Sequence, residues 1–231
     1  MKHRCVTLFV SLILAFLFAL SCTSGAFAYD LPLPEDEVRT MIESHLYSGF
    51  VHIDSGEVIY VGMPVEDAEK ILGPMQESLD YYESTYAGGM EMDFTESSAT
   101  VKELTLHTLS SQKFMPVYET VYGIQCGMLR QDLEACFDDL VWVPKLSADF
   151  GEYFLTEVIY YPELGVVYPE TPGAGASQAY SLLMDDLARK DPTRSFMELH
   201  REAFDLDFII LSFRVDSGGV IFCITIDLHA Y

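Results

Sequence analysis

Few stretches of this 231-residue chain carry side chains whose types and spacing could do chemistry. The densest is "LHREAFDLD", which places His200, Glu202, Asp205 and Asp207 close together. Imidazole and carboxylate groups so near could bind a divalent cation or share proton transfer. Three readings stay open there: a solvated acidic turn, weak Ca²⁺ binding, and a hydrolytic or metal-dependent enzyme built on His200 and Asp205. The spacing matches neither H-E-x-x-H nor an EF-hand loop. His45, His52, His107 and His229 are scattered along the chain.

Cys126 precedes Gly127 at the start of an expected helix, where the positive helix end could lower a thiol pKa. A related phrase earlier in the chain has Val61 at that place, which favours a structural role. No G-x-S-x-G, Walker A loop or dinucleotide fingerprint occurs. Among 36 acidic residues, any one carboxylate pair carries little information. The sequence therefore assigns no catalytic, cofactor-binding or metal-ligating residue, and leaves the binding residues unassigned. The expectation is a protein that is not an enzyme and needs no cofactor.

The elements around these residues are written twice. "YVGMPVEDAEKILGP" (60–74) is a strand end, a Gly-Met pair and a short helix. "QCGMLRQDLEACFDD" (125–139) repeats the design. Gly127 and Met128 match Gly62 and Met63, and Asp132 and Glu134 match Asp67 and Glu69. Leu133, Cys136 and Phe137 match the apolar face of Ala68, Ile71 and Leu72. Pro64 suits the first helical position, and Gly73-Pro74 a stop. Upstream, "EDEVRTMIESHLYSG" reads as a helix whose face is Val38, Met41, Ile42 and Leu46, with Gly49 as its stop.

Strands follow each phrase. "SLDYYESTY", "MEMDFTE" and "TVKELTLHTL" come after the first, "EYFLTEVIYYPELGVVYPE" after the second. "TPGAGAS" reads as a linker. "QAYSLLMDDLARKD", with Leu182, Leu183 and Leu187 as its stripe, reads as a helical insertion near 176–191. "FIILSFRV-DSGG-VIFCITIDL" is a hairpin around a Gly-rich turn. Its Ile209, Leu211, Phe213 and Val215 share one face, while Phe208, Ile210, Ile221 and Cys223 make the other partly apolar. Of adjacent tyrosines such as Tyr160-Tyr161, one is expected in the core and one outside. The fold class is α+β: two tandem units, 29–122 and 123–231, each with short helices packed on an antiparallel sheet.

The start of the chain reads as a secretory signal over residues 1–28. Lys2, His3 and Arg4 precede the apolar run Leu12–Leu20, and Ala26-Phe27-Ala28 is a cleavage site. The protein is expected to be periplasmic or secreted. A lipoprotein anchored at Cys22 in "ALSC" is the alternative. Cleavage after Ala28 removes Lys2 and Arg4 and no acid, taking the formal charge from −23 to −25. Such a field repels nucleic acid. The remaining Cys126, Cys136 and Cys223 are too few for a disulfide scaffold and are expected as buried small hydrophobes, with one disulfide as the alternative.

The pattern apolar-x-Gly-Met-x-x-x-(Asp/Glu)-apolar-x-x-apolar-apolar-Gly-Pro, followed by a meander, resembles two related groups. They are the small SmpA/OmlA-type lipoproteins of the outer-membrane β-barrel assembly machinery and the tandem repeats of β-lactamase inhibitory proteins. In those groups helices cover one sheet face, the other face meets a protein partner, and the members are not enzymes. The resemblance implies a binding module of the cell envelope or secreted space. Pro64 and Leu129 stand where the family often has a capping Ser or Thr, and Asp138-Asp139 replace the second Gly-Pro. No partner-contact residue is carried over.

Overall fold

Runs of β-branched and aromatic residues separated by Gly-containing turns are built to pair as antiparallel strands. The computed structural model describes residues 47–75, 77–78, 83–95, 99–108, 117–148, 150–174 and 177–229. The expected signal, Cys22, the helix proposed upstream of Gly49, and Tyr81 and Tyr82 lie outside the described residues. Within them the chain is a mixed α+β protein with antiparallel sheets.

A small sheet has three strands in the order β2-β1-β7: β1 (Gly49–His52), β2 (Val58–Tyr60) and β7 (Tyr118–Thr120). Gly49 opens β1, its backbone pairing with Tyr60. The main sheet uses β3 (Glu77–Ser78), β4 (Glu83–Thr85), β5 (Met90–Thr95), β6 (Thr100–His107), β8 (Val143–Ser147), β9 (Gly151–Tyr161), β10 (Val166–Glu170), β11 (Phe208–Asp216) and β12 (Ile221–His229). Its order is β10-β9-β11-β12-β6-β5-β4-β3, with β8 also pairing β9. The main sheet therefore combines strands from before and after position 122, while the small sheet lies wholly before it.

Four helices are described: α1 (Val65–Leu72), α2 (Arg130–Glu134), α3 (Ser177–Lys190) and α4 (Phe196–Phe204). The two Gly-Met segments before α1 and α2 make matching backbone contacts. Gly62 N–H donates to Val101 O (2.7 Å), Val101 N–H to Met63 O (2.9 Å) and Val65 N–H to Ala99 O (3.0 Å). Gly127 N–H donates to Ile221 O (2.7 Å), Ile221 N–H to Met128 O (2.8 Å) and Arg130 N–H to Gly219 O (2.8 Å). The two glycines have φ of +91° and +95°, a region closed to most side chains.

One face of the main sheet carries the larger core. Leu104, Leu106, Leu211, Phe213, Ile224 and Ile226 are fully buried there with Phe50 and Ile59 of the small sheet, Ala68 of α1 and Leu133 of α2. Burying each large side chain contributes about 1.5–3 kcal/mol. The other face has a second core, where α3 and α4 bring Ala179, Leu183, Leu187, Leu199 and Ala203 onto Ile159 and Tyr161. Tyr160 and Tyr161 are consequently both buried, because β9 is covered on both faces. Leu182 is not part of the α3 stripe; Ala179, Leu183, Met184 and Leu187 are.

α4 occupies the segment that also reads as an acidic turn. Ser195 Oγ accepts from Glu198 N–H, and the Glu198 carboxylate accepts from Ser195 N–H (2.8 Å). This capping box closes the helix start. The start of α3 is held by Glu170, fully buried on β10, whose carboxylate accepts N–H bonds from Thr171 (2.8 Å), Gln178 (3.4 Å) and Ala179 (2.9 Å).

Candidate functional site

The residues singled out in "LHREAFDLD" do not converge. His200 lies on α4 among the rings of Phe196, Phe204 and Tyr180, at centroid distances of 5.9, 6.2 and 5.8 Å. Glu202 pairs with Arg194, and Asp205 is exposed at the end of the helix. Among the described residues no three His, Cys, Asp or Glu side chains come together as a metal-binding group.

The cysteines separate by environment. Cys126 is buried, and its thiol donates to Leu106 O at 3.4 Å. Burial, helped by nearby Cys223, pushes that thiol well above its ordinary pKa, which makes it a neutral donor rather than a nucleophile. Cys136 is exposed, contrary to the expectation of burial, because α2 ends at Glu134 and leaves it off the apolar face. All three described cysteines are free thiols.

Polar side chains do gather on the part of the second sheet face that α3 and α4 leave uncovered. Strand register sets their rows. Glu91 of β5 lies opposite Thr105 of β6, Thr105 opposite Thr225 of β12, Thr225's strand beside Ser212 of β11, and Ser212 opposite Glu157 of β9. The Thr105 hydroxyl is 3.0 Å from Glu103 Oε1 and 3.1 Å from the Thr225 hydroxyl. In the next row Asp93, Glu103 and Asp227 stand on three adjacent strands. Burial raises the Glu103 pKa, Thr105 opposes this, and Asp227 and Asp93 add to the rise. Asp227 Oδ2 is 2.9 Å from His229 Nε2, while Asp227 Oδ1 is buried without a hydrogen-bond partner.

The row nearest the hairpin turn is the most unusual. Cys223 of β12 is fully buried between His107 of β6 and Arg214 of β11. Cys223 is the cross-strand neighbour of His107, and its sulfur stands 3.9 Å from Thr225 Oγ1. His107 Nε2 stands 3.0 Å from Glu91 Oε2. Burial alone would lower the His107 pKa, but Cys223 and Glu91 outweigh it and carry it up to about 10. Phe150 stacks on the ring at 6.4 Å and 11°. Single residues gave no hint of this chain, since His107 and Cys223 are far apart in sequence and become neighbours only through register.

Together these features define a mixed α+β protein whose main antiparallel sheet offers a polar, acid-rich half-face. Among the described residues no helix is long and apolar enough to cross a membrane. Comparison with protein-family models, curated proteins and solved structures found no match to this chain.

Proposed function

We infer that this chain is an exported, non-catalytic binding protein made of two tandem units, 29–122 and 123–231, that takes a protein partner on the half of its main sheet that α3 and α4 leave free. The partner belongs to the cell envelope or the secreted space and presents Lys and Arg side chains. The doubling is supported by the matched hydrogen bonds of the two Gly-Met segments. Val101 corresponds through those bonds to Ile221, 120 positions on, and Thr105 pairs across the sheet with Thr225, also 120 positions on. The β6–β12 seam is thus centred on corresponding residues, as a pseudo-two-fold axis requires.

One observation carries the binding reading: Asp93, Glu103 and Asp227 stand side by side on neighbouring strands. Like charges directly opposite destabilise a sheet. A cationic partner would relieve that repulsion and would be steered in by the strongly negative field. The test compares the mature chain from Tyr29 with an Asp93→Asn/Glu103→Gln/Asp227→Asn variant, each immobilised and exposed to envelope and secreted fractions. A partner retained by the native chain at low salt, eluted by salt and lost from the variant supports the reading. Retention indifferent to the three substitutions, or no retention, removes it. Mass spectrometry of the mature N-terminus separates free Tyr29 from acylated Cys22.

A further inference from the structure

We propose, on the acidic-face reading above, that the partner lays an extended segment along the β6–β12 seam. It sets an aromatic side chain on a ring shelf formed by Phe150, Phe222 and Tyr153. Four residues away it sets a basic side chain among Asp93, Glu103 and Asp227.

The shelf is made by a β-bulge. Arg214 pairs with Cys223 and Val215 with Ile221, so Phe222 is the extra residue between them. Ile221 and Ile224 are fully buried in the larger core. Strict alternation from Ile224 would send Phe222 toward that core as well, and a bulge re-aims such a side chain. The Phe222 ring instead meets Phe150 at a centroid distance of 5.2 Å and Tyr153 edge-on at 5.9 Å. Phe150, half exposed between β8 and β9, also stacks over His107 at 6.4 Å, and His107 Nε2 stands 3.0 Å from Glu91 Oε2. A partly exposed ring held among other rings offers a further aromatic group an edge or an offset face.

Strand geometry sets the distance from shelf to carboxylates. His107 and Glu103 of β6 are four residues apart, as are their partners Cys223 and Asp227 of β12. At about 3.4 Å per residue, the two rows are separated by about 14 Å. An extended partner segment spans that distance in four residues, and alternation points residues i and i+4 the same way. Between the rows, Thr105 and Thr225 are buried and their hydroxyls stand 3.1 Å apart, so residue i+2 need only be small. At the far row, Asp227 Oδ1 is buried without a hydrogen-bond partner. A buried acceptor left unmade is costly, and a Lys ammonium brings the donor as well as the opposite charge.

The test titrates the isotope-labelled mature chain with blocked peptides of one composition, a Phe and a Lys in a Ser/Thr background, each in both chain orders. In one pair Phe and Lys are four residues apart; in the other they are three apart, which alternation turns to opposite faces. The better-oriented four-apart peptide is expected to bind at least about fivefold tighter than either three-apart peptide, and to shift the amides of β6 and β12. Phe150→Ala should weaken it about fivefold and leave its salt dependence unchanged. Asp227→Asn should weaken it and flatten the salt dependence. Circular dichroism checks each fold. Equal binding of the two spacings overturns the proposal. So does an affinity unchanged by Phe150→Ala, even where binding is lost from the Asp93→Asn/Glu103→Gln/Asp227→Asn variant; that pattern leaves the acidic-face reading standing. No binding of any peptide at low salt also overturns it, and the fraction experiment then decides the acidic-face reading separately.

Discussion

Glu103 and Thr105 show how one strand can hold a charge at a cost. Thr105 sits within hydrogen-bond distance of both Glu103 and Thr225, yet Asp227 and Asp93 face Glu103 from either side. The folded pKa of Glu103 is raised, so the folded chain binds its proton more tightly than the unfolded chain does. Its contribution to stability is therefore unfavourable at neutral pH and is relieved as pH falls through the raised folded pKa. Glu103→Gln is expected to stabilise the protein at neutral pH by about 0.5 kcal/mol, a cross-strand magnitude already reduced for solvent screening. Urea unfolding of both proteins at neutral and mildly acidic pH checks this, and the gain should shrink in acid. An equal gain at both pH values would contradict the assignment.

The helices depend on ends as much as on faces. Glu170 is fully buried and satisfies three backbone N–H groups around the start of α3. Glu170→Ala is expected to cost about 2 kcal/mol or more, because buried donors lose their acceptor. A loss below about 0.5 kcal/mol would mean that water replaces the carboxylate at no cost. The Gly-Met turns give a paired expectation. A Cβ on Gly127 would meet no atom within 4 Å, and one on Gly62 would meet only Leu228 at 3.8 Å. The penalty at both is then conformational, and Gly62→Ala and Gly127→Ala should each cost about 1–2 kcal/mol. Denaturant midpoints that differ widely between the two would separate turns whose hydrogen bonds match.

At the scale of the molecule, the two proposed units are joined by the main sheet. β6 pairs with β12, so the main sheet is completed only by strands of both halves. Thermal unfolding is expected to be a single cooperative transition with coincident far-ultraviolet and tyrosine signals. Two resolved transitions would indicate halves that fold separately. A formal charge of −23 adds self-repulsion, so the midpoint should rise as salt increases from low to physiological concentration. A midpoint insensitive to salt would show that the charges are already compensated within the fold.

Much of the architecture was legible because it is local. The terminal hairpin lies where alternation and its Gly-rich turn place it, and α1 and α3 follow their apolar spacing. α4 carried a readable signal in Ser195-x-x-Glu198, which the surrounding acids obscured. The strand that begins at Gly49 and the exposure of Cys136 were not legible, since one also pairs with β7 some seventy residues on and the other depends on where α2 stops.

By itself the sequence determined the doubled Gly-Met helix phrase, the strand-rich mixed composition and the negative charge. These follow from residue type and short-range spacing. Only the tertiary structure decided that β9 is covered on both faces, burying Tyr160 and Tyr161 together. It alone set Cys223 between His107 and Arg214. The physical reason is register: side chains alternate with a period of two, so a one-residue slip between strands would turn each of these groups to the other face.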